Sequence, residues 1–425
     1  MLLNFSVENF RSFRDENQLT MIATRIKDHE KNNTFMVKNH RVLRSTAIYG
    51  ANASGKSNLF RAISFMKYFV INSSKNMQSG EDISVEKFRL STETENKDST
   101  FEIVFFDQEI IYRYGFCVNK HRVSREWLYH IRPSRVRKEE LLFCRENDAY
   151  EISKKFNEGD KLQKKTRNNA LFLSVVAQFN GEISQQILKW FRSKLMVTSG
   201  LEDYQESVID IISNISDGKN IVLEHLRDAD LGVADFDVRK ENVLEAKNIP
   251  EEIKKFVKFI QNSNDENAVP VVNEVSFMHE KYNEKNEVVS LEKFKLRNDE
   301  SKGTEKYFSL AAPVLTALAM GATLIVDELE SSLHPILTKH ILKLFNSEKN
   351  HNNAQLIFNT HDTNLLNKNI LRRDQIWFVE KDKYGATDLY SLVDFNVRQD
   401  ASFEKDYLLG KYGAIPFVGE VQFEE

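Results

Sequence analysis

Eight consecutive residues near the start of the chain, Gly50-Ala51-Asn52-Ala53-Ser54-Gly55-Lys56-Ser57, carry the most specific chemistry in the sequence. They satisfy G-x-x-x-x-G-K-[ST]. They follow a short apolar run at 47–49 and precede a helical pattern at 57–70, the strand–loop–helix setting that the pattern requires. In such a loop the backbone around Gly50, Asn52, Ser54 and Gly55 and the N-terminus of the helix surround phosphate oxygens. Lys56 brings a cation to the β- and γ-phosphates, and the Ser57 hydroxyl ligates Mg²⁺. The implied cofactors are ATP and Mg²⁺.

Three further clusters can complete such a site. The run Thr323-Leu324-Ile325-Val326-Asp327-Glu328 reads as a buried strand ending in two acids. Asp327 would hold Mg²⁺ and Glu328 would orient and deprotonate the attacking water. Buried strands often end in acids, so this pattern gains its force from the glycine loop upstream. Ser301-Lys302-Gly303-Thr304 opens a helical pattern. Ser301 and Gly303 at a helix N-terminus suit phosphate oxygens, and they equally suit an ordinary N-cap. Asn359-Thr360-His361-Asp362 follows a strand at 355–358. A histidine at a strand end is commonly structural, but its spacing after Asp327 makes His361 a candidate to contact the γ-phosphate and sense hydrolysis.

The elements that must position these residues are read from periodicity. Alternation at Leu3, Phe5 and Val7, and again at Leu19 and Met21, predicts strands. So do residues 83–90, and 101–106 with 110–118 form a hairpin through Asp107-Gln108-Glu109. After about residue 125 the chain becomes basic and ragged, with Arg132, Arg135, Arg137, Lys138, Lys161, Lys164, Lys165 and Arg167. Apolar stripes then predict helices around 183–195, 208–215 and 253–260, with a polar linker at 262–267. Strand character returns at 269–277 and 288–296.

Composition limits the alternatives. The net charge of −4, from 63 acidic and 59 basic residues, gives no global field for nucleic acid. The two cysteines, Cys117 and Cys144, suggest neither a disulfide framework nor a metal site, and no signal peptide is seen. A cytoplasmic location follows as an expectation. Residues 307–326 carry no charge over about the length of a membrane span. Ser309, Pro313 and Gly321 interrupt them, so a buried helix, a turn and a central strand are the preferred reading.

Taken in order, the four clusters resemble an ABC-type ATPase: glycine loop, signature, acidic strand end and switch histidine. Val7-Glu8-Asn9-Phe10-Arg11-Ser12-Phe13 resembles the N-terminal strand and turn of SMC, RecF and OLD-type ATPases, as does the run from Asp327 to Pro335. The resemblance implies an α/β fold, an ABC-type P-loop ATPase head split by an α-rich insertion. Residues 1–120 and 271–425 would form the head, and 121–270 an insertion for dimerisation or partner docking. It also implies a homodimer or higher homo-oligomer in which Ser301 and Gly303 cover the partner's γ-phosphate, and it brings Arg11 toward the phosphates. Without the resemblance, Arg11 is a surface arginine in a turn. Two features depart from the pattern: no glutamine suits the Q-loop, since Gln78 and Gln108 lie in a loop and a hairpin, and the signature lacks a second glycine.

A narrower resemblance, to stand-alone ATPases of phage-defence and abortive-infection operons (RloA, AbiLi and AriA types), rests on residues 168–174, 300–304, 371–377 and 410–416. It implies a sensor ATPase that hydrolyses ATP to ADP and phosphate and controls a separate effector such as a Toprim-type nuclease. The rival reading is a RecF- or SMC-like DNA repair ATPase that binds DNA directly. Nucleic acid is the less favoured partner, and no membrane is implied.

Overall fold

The computed structural model describes residues 1–132, 138–242, 251, 252, 254, 255, 271–397 and 401–416. It divides into two compact units, one of Met1–Leu201, Leu315–Ser331 and Ile341–Glu425, the other of Glu202–Val314 and Ser332–His340.

In the first unit, β1 (Leu2–Glu8) and β2 (Asn17–Thr20) are followed by a small hairpin, β3 (Thr34–Val37) and β4 (His40–Leu43), and then by β5 (Ser45–Tyr49). The helix Lys56–Asn72 follows the glycine loop. Next come β6 (Ser99–Asp107), β7 (Ile110–Val118), β8 (Val123–Ile131), β9 (Glu140–Glu146) and β10 (Ala149–Ile152). Helices Phe172–Gln178 and Glu182–Ser193 lead to β11 (Leu195–Ser199). The second unit contains helices Gln205–Asn214 and Gly218–Asp228 and a three-stranded sheet of β12 (Asp235–Asn242), β13 (Val271–Tyr282) and β14 (Val288–Lys295). The helix Lys302–Met320 begins there. β15 (Thr323–Asp327), β16 (Gln355–Asn359), β17 (Ile376–Lys381) and β18 (Thr387–Ser391) complete the first unit.

Two sheets organise that unit. The order β10-β9-β8-β7-β6-β1-β2 is antiparallel throughout. In the order β11-β15-β16-β5-β17-β18 every pairing is parallel except the last. Central strands of a parallel sheet are covered on both faces, which demands continuous apolar runs; all five residues of β5 and of β16 are buried. Gln355 holds the sheets together. Its Oε1 accepts the Leu2 N–H at 2.7 Å and its Nε2 donates to the Leu2 carbonyl at 3.0 Å.

The hairpin at 107–109 matches its expectation. Gln108 and Glu109 take φ of 43° and 66°, the left-handed pair that a two-residue hairpin turn requires. The helix Lys302–Met320 runs through Ser309 and Pro313 and ends at Gly321 with φ +61°, so only the glycine interrupts it. Among the described residues no helix is long and apolar enough to cross a membrane.

Two expectations are corrected. The α-rich insertion does not begin at 121: the described residues of 121–152 form β8, β9 and β10 of the antiparallel sheet, and the first unit extends to Leu201, so the boundary at 121 falls inside a sheet. Residues 83–90 form no strand: they bond at isolated points, Ile83 N–H to the Lys120 carbonyl at 2.7 Å and Arg11 N–H to the Glu86 carbonyl at 2.8 Å, and the Val85 N–H turns back onto the Ile83 carbonyl at 2.8 Å. The third helical stripe, 253–260, and the linker at 262–267 lie outside the described residues, apart from residues 254 and 255.

A buried charge pair anchors the helices to the antiparallel sheet. Glu126 and Arg145 are both fully buried and 4.0 Å apart. The Glu126 carboxylate sits at the N-terminus of Phe172–Gln178, accepting the N–H groups of Phe172 at 2.6 Å and Leu173 at 3.0 Å and the Tyr114 hydroxyl at 2.9 Å. Arg145 donates to the Ala170 carbonyl at 2.8 Å and the Asn147 carbonyl at 3.0 Å. Burial pushes the Glu126 carboxyl above its usual range, and Arg145 is the chief opposing influence. The capped helix in turn bonds the P-loop helix, Ser174 Oγ to the Val70 carbonyl at 2.6 Å. Arg145→Met should strand the carboxylate and cost about 3 kcal/mol or more of stability, read from the urea midpoint. Adding Glu126→Gln should recover part of that loss. No recovery would mean that the carbonyl contacts of Arg145, not its charge, do the holding.

Candidate functional site

The parallel sheet places β16 between β5 and β15. The carboxyl ends of those three strands therefore lie side by side, and each is followed by one of the clusters read from the sequence: the glycine loop after β5, Asp327 and Glu328 at β15, and His361 after β16. Crevices beyond the carboxyl ends of strands are where open α/β sheets bind ligands.

The glycine loop is shaped by its walls as much as by its own residues. Gly55 caps the helix with φ +117°, and a Cβ there would lie 2.4 Å from Thr387 Oγ1 and 2.9 Å from Ser12 Oγ. A Cβ on Gly50 would lie 2.3 Å from the Val379 carbonyl oxygen. Thr387 donates to the Ser54 carbonyl at 2.8 Å, and Asn58 donates to Ser12 Oγ at 2.8 Å. Asn52 is exposed at the loop apex, while Ser54 is buried.

Lys56 is buried, its Nζ donating to the carbonyls of Gly50 at 2.8 Å and Ala51 at 3.0 Å. Desolvation pushes its ammonium down to about 8, opposed by Glu330 first, then Asp327 and Glu328. Ser57 Oγ donates to Asp327 Oδ1 at 3.1 Å. The same oxygen accepts from the Asn359 amide, whose own oxygen accepts the Glu328 N–H. Glu328 has φ 59°, so the strand turns sharply at the second acid. Gly200, just past β11, donates its N–H to the Asp327 carbonyl at 2.6 Å. The His361 N–H donates to Glu330 Oε1 at 2.6 Å. Desolvation and the Lys56 cation lower the His361 imidazole below its ordinary value, against Glu330 and Glu328.

Lys56, Ser57, Asp327, Glu328 and His361 thus gather within the first unit. Arg11 does not join them. With φ 51° it turns its guanidinium onto Glu86, as a surface arginine in a turn would. Ser301 and Gly303 belong to the second unit, where Ser301 caps the helix Lys302–Met320: its Oγ accepts the Thr304 N–H at 3.0 Å and pairs with Thr304 Oγ1 at 2.8 Å. Gln78 and Gln108 lie in a loop and a hairpin turn, and Ser199 ends the strand paired with Asp327. Four residues of the site escaped the sequence reading. Thr387 carries no spacing signal. Ser12 lay in the N-terminal run beside Arg11, and Asn359 and Glu330 lay inside motifs already read, one residue before Thr360 and two beyond Glu328, where their polarity beside the acids was the available clue.

No curated protein sequence matches the chain. Among solved structures it is similar to the SMC head domain from Thermotoga maritima, at 14% identity and a TM-score of 0.40 over 92% of this chain and 98% of that one. It is also similar to the recombination mediator protein RecF, at 14% identity and a TM-score of 0.28 over 92% and 98%. A third is cbiO1 from Clostridium perfringens, part of an ABC transporter complex, at 12% identity and a TM-score of 0.31 over 97% and 92%. Residues 45–367 match the family described as "AAA domain, putative AbiEii toxin, Type IV TA system". That match runs from β5 through the glycine loop and the Asp327–Glu328 pair to the His361 loop, well over half of the sequence, and the chain belongs to this family of P-loop AAA-domain proteins.

Proposed function

We propose that the chain binds ATP with Mg²⁺ and hydrolyses it to ADP and phosphate. The observation that carries this reading is the hydrogen-bonded array linking Ser57, Asp327, Asn359 and Glu328 beside the buried Lys56. The donor set at Ser57 and Asp327, one hydroxyl and one carboxylate oxygen, suits a hard cation that keeps most of its waters. Such a cation would neutralise charge on the phosphates. The chain's own residues do the rest. Lys56 exchanges its loop carbonyls for phosphate oxygens. The Asn359 amide fixes the Asp327 carboxylate and, through the Glu328 N–H, the turn that aims the Glu328 side chain. Glu328 then accepts a proton from the attacking water. Lys56→Ala should abolish nucleotide binding in a folded protein. Glu328→Gln should bind normally and turn over at least ~10²-fold more slowly. Wild-type phosphate release from the glutamine variant would move the base elsewhere, with His361 the next candidate.

The active assembly in this reading is a homodimer whose sites are composite, with Ser301 and Gly303 of one chain meeting the nucleotide held by the other. Mixing Ser301→Arg chains with Lys56→Ala chains leaves one intact site per mixed dimer. Phosphate release should exceed the sum of the separate variants; release equal to that sum counts against a shared site.

The biological role we propose is regulatory: an ATPase that controls a separate effector nuclease in phage defence. Support comes from the family description, which names a toxin of a toxin–antitoxin system, and from the chain's balanced charge, which does not favour unaided capture of nucleic acid. Control through nucleotide state requires the effector to bind those states with different affinity. Phage plating on cells carrying the ATPase alone, with its neighbouring gene, or with that neighbour and Glu328→Gln should show protection in the intact pair alone. Full protection by the ATPase alone, with salt-sensitive DNA binding, would instead support direct action on DNA.

A further inference from the structure

Glu330 links the turn after the acidic strand end to the histidine loop at a point beyond the Asn359 contacts. Its Oε1 accepts the His361 backbone N–H at 2.6 Å. Its Oε2 is shut off from solvent and has no hydrogen-bond partner among the described residues. A carboxylate oxygen held out of water is tolerated only where its surroundings are polar, and Lys56, Asp327 and Glu328 belong to the same strand ends. Lys56 is itself fixed on the Gly50 and Ala51 carbonyls. One carboxylate, two residues past Glu328, therefore keeps one oxygen closed off and grips the histidine loop with the other. A side chain serving the turn alone would not need to reach the His361 backbone, since the Ser331 N–H already bonds the Glu328 carbonyl at 3.1 Å.

We propose that Glu330 is a positioning residue of the nucleotide site, one that sets the His361 loop in register with Lys56 so that the imidazole meets the terminal phosphate bound by the lysine. The inference rests on the ATPase reading and deepens it. Glu330 touches neither the attacking water nor the scissile bond in this role; it acts through the loop it holds. Its loss should leave nucleotide binding largely in place and slow turnover, because the misplacement matters where the terminal phosphate reacts.

The test uses the full chain, steady-state phosphate release and titration with a fluorescent ATP analogue. Glu330→Ala should lower kcat about tenfold with little change in nucleotide affinity. Glu330→Gln, whose amide oxygen can still accept the His361 N–H, should recover most of that rate. The double variant Glu330→Ala/His361→Ala should be no slower than His361→Ala alone, because both remove the same placement. Glu330→Met, which keeps the volume, replaces the alanine variant if alanine does not fold. Multiplicative losses in the double variant, a glutamine variant as slow as alanine, or lost affinity with kcat intact would each overturn the proposal. A wild-type chain that binds the analogue but releases no phosphate would overturn the ATPase reading and this inference together. Wild-type turnover with an additive Glu330–His361 pair removes the inference alone.

Discussion

A single buried ammonium sets the terms for everything around it. Lys56 sits at the carboxyl edge of a sheet whose central strands are wholly covered, so its charge can be held only by groups that the strand ends and loops supply. Two loop carbonyls and three carboxylates provide that environment. The carboxylates would repel one another if nothing separated them. A neutral amide, Asn359, holds the first by donating to the side chain of Asp327, and fixes the backbone that carries the second by accepting from the Glu328 N–H. The third, Glu330, turns toward the histidine loop instead. The order β15-β16-β5 makes this arrangement available: with β16 in the middle, its terminal residue reaches β15 on one side while the glycine loop lies on the other.

The glycine loop is held from outside by residues far away in the chain. Ser12 follows the first strand and Thr387 opens the last, and they are bonded to each other through the Thr387 N–H and the Ser12 carbonyl at 2.7 Å. They leave no room for a side chain at Gly55. A phosphate-binding loop closed in this way does not have to be ordered by its ligand, and less binding free energy goes into that ordering. The N-terminal turn thus acts through Ser12, while the neighbouring Arg11 faces away onto Glu86.

Phosphate chemistry fixes residue types and spacing together, which is why the glycine loop, the acidic strand end and the histidine were legible in sequence while the scaffold around them was less so. The strands β8 and β9 were missed because their pattern is broken by charges that are not on the surface. Glu126 and Arg145 are fully buried, and each interrupts the alternation that would have marked its strand. Residues 83–90 gave the converse error: Ile83 and Phe88 are buried as in a strand, but no neighbour runs alongside to form a ladder. Segments 168–174 and 371–377 turn out to be structural. The first carries the helix capped by Glu126, and in the second Arg372 is buried in a two-pronged pair with Asp374 at 2.7 and 2.8 Å. In 410–416, Gly410 and Gly413 take positive φ and the Tyr412 carbonyl accepts the Tyr390 hydroxyl at 2.7 Å. These three segments therefore serve the scaffold, and the biological role has to be argued from partners.

The signature residues illustrate how one chemistry can serve two ends. At a helix N-terminus the first N–H groups lack intrahelical acceptors, and a serine hydroxyl or a phosphate oxygen can satisfy them. In this chain the Ser301 hydroxyl already accepts the Thr304 N–H. A phosphate arriving from a second chain would compete for that same donor. The free energy gained in a composite site is then the difference between a charged and a neutral acceptor on one N–H, together with whatever bond the freed hydroxyl makes. That difference is modest for any one contact, and the sequence offers a single glycine, Gly303, to let the helix approach closely. A dimer closed by such contacts would open readily once the terminal phosphate is lost, because the charge that displaced the cap is gone and Ser301 can return to it. In the proposed dimer, weak closure of this kind would favour a switch whose lifetime is set by hydrolysis over a permanent assembly.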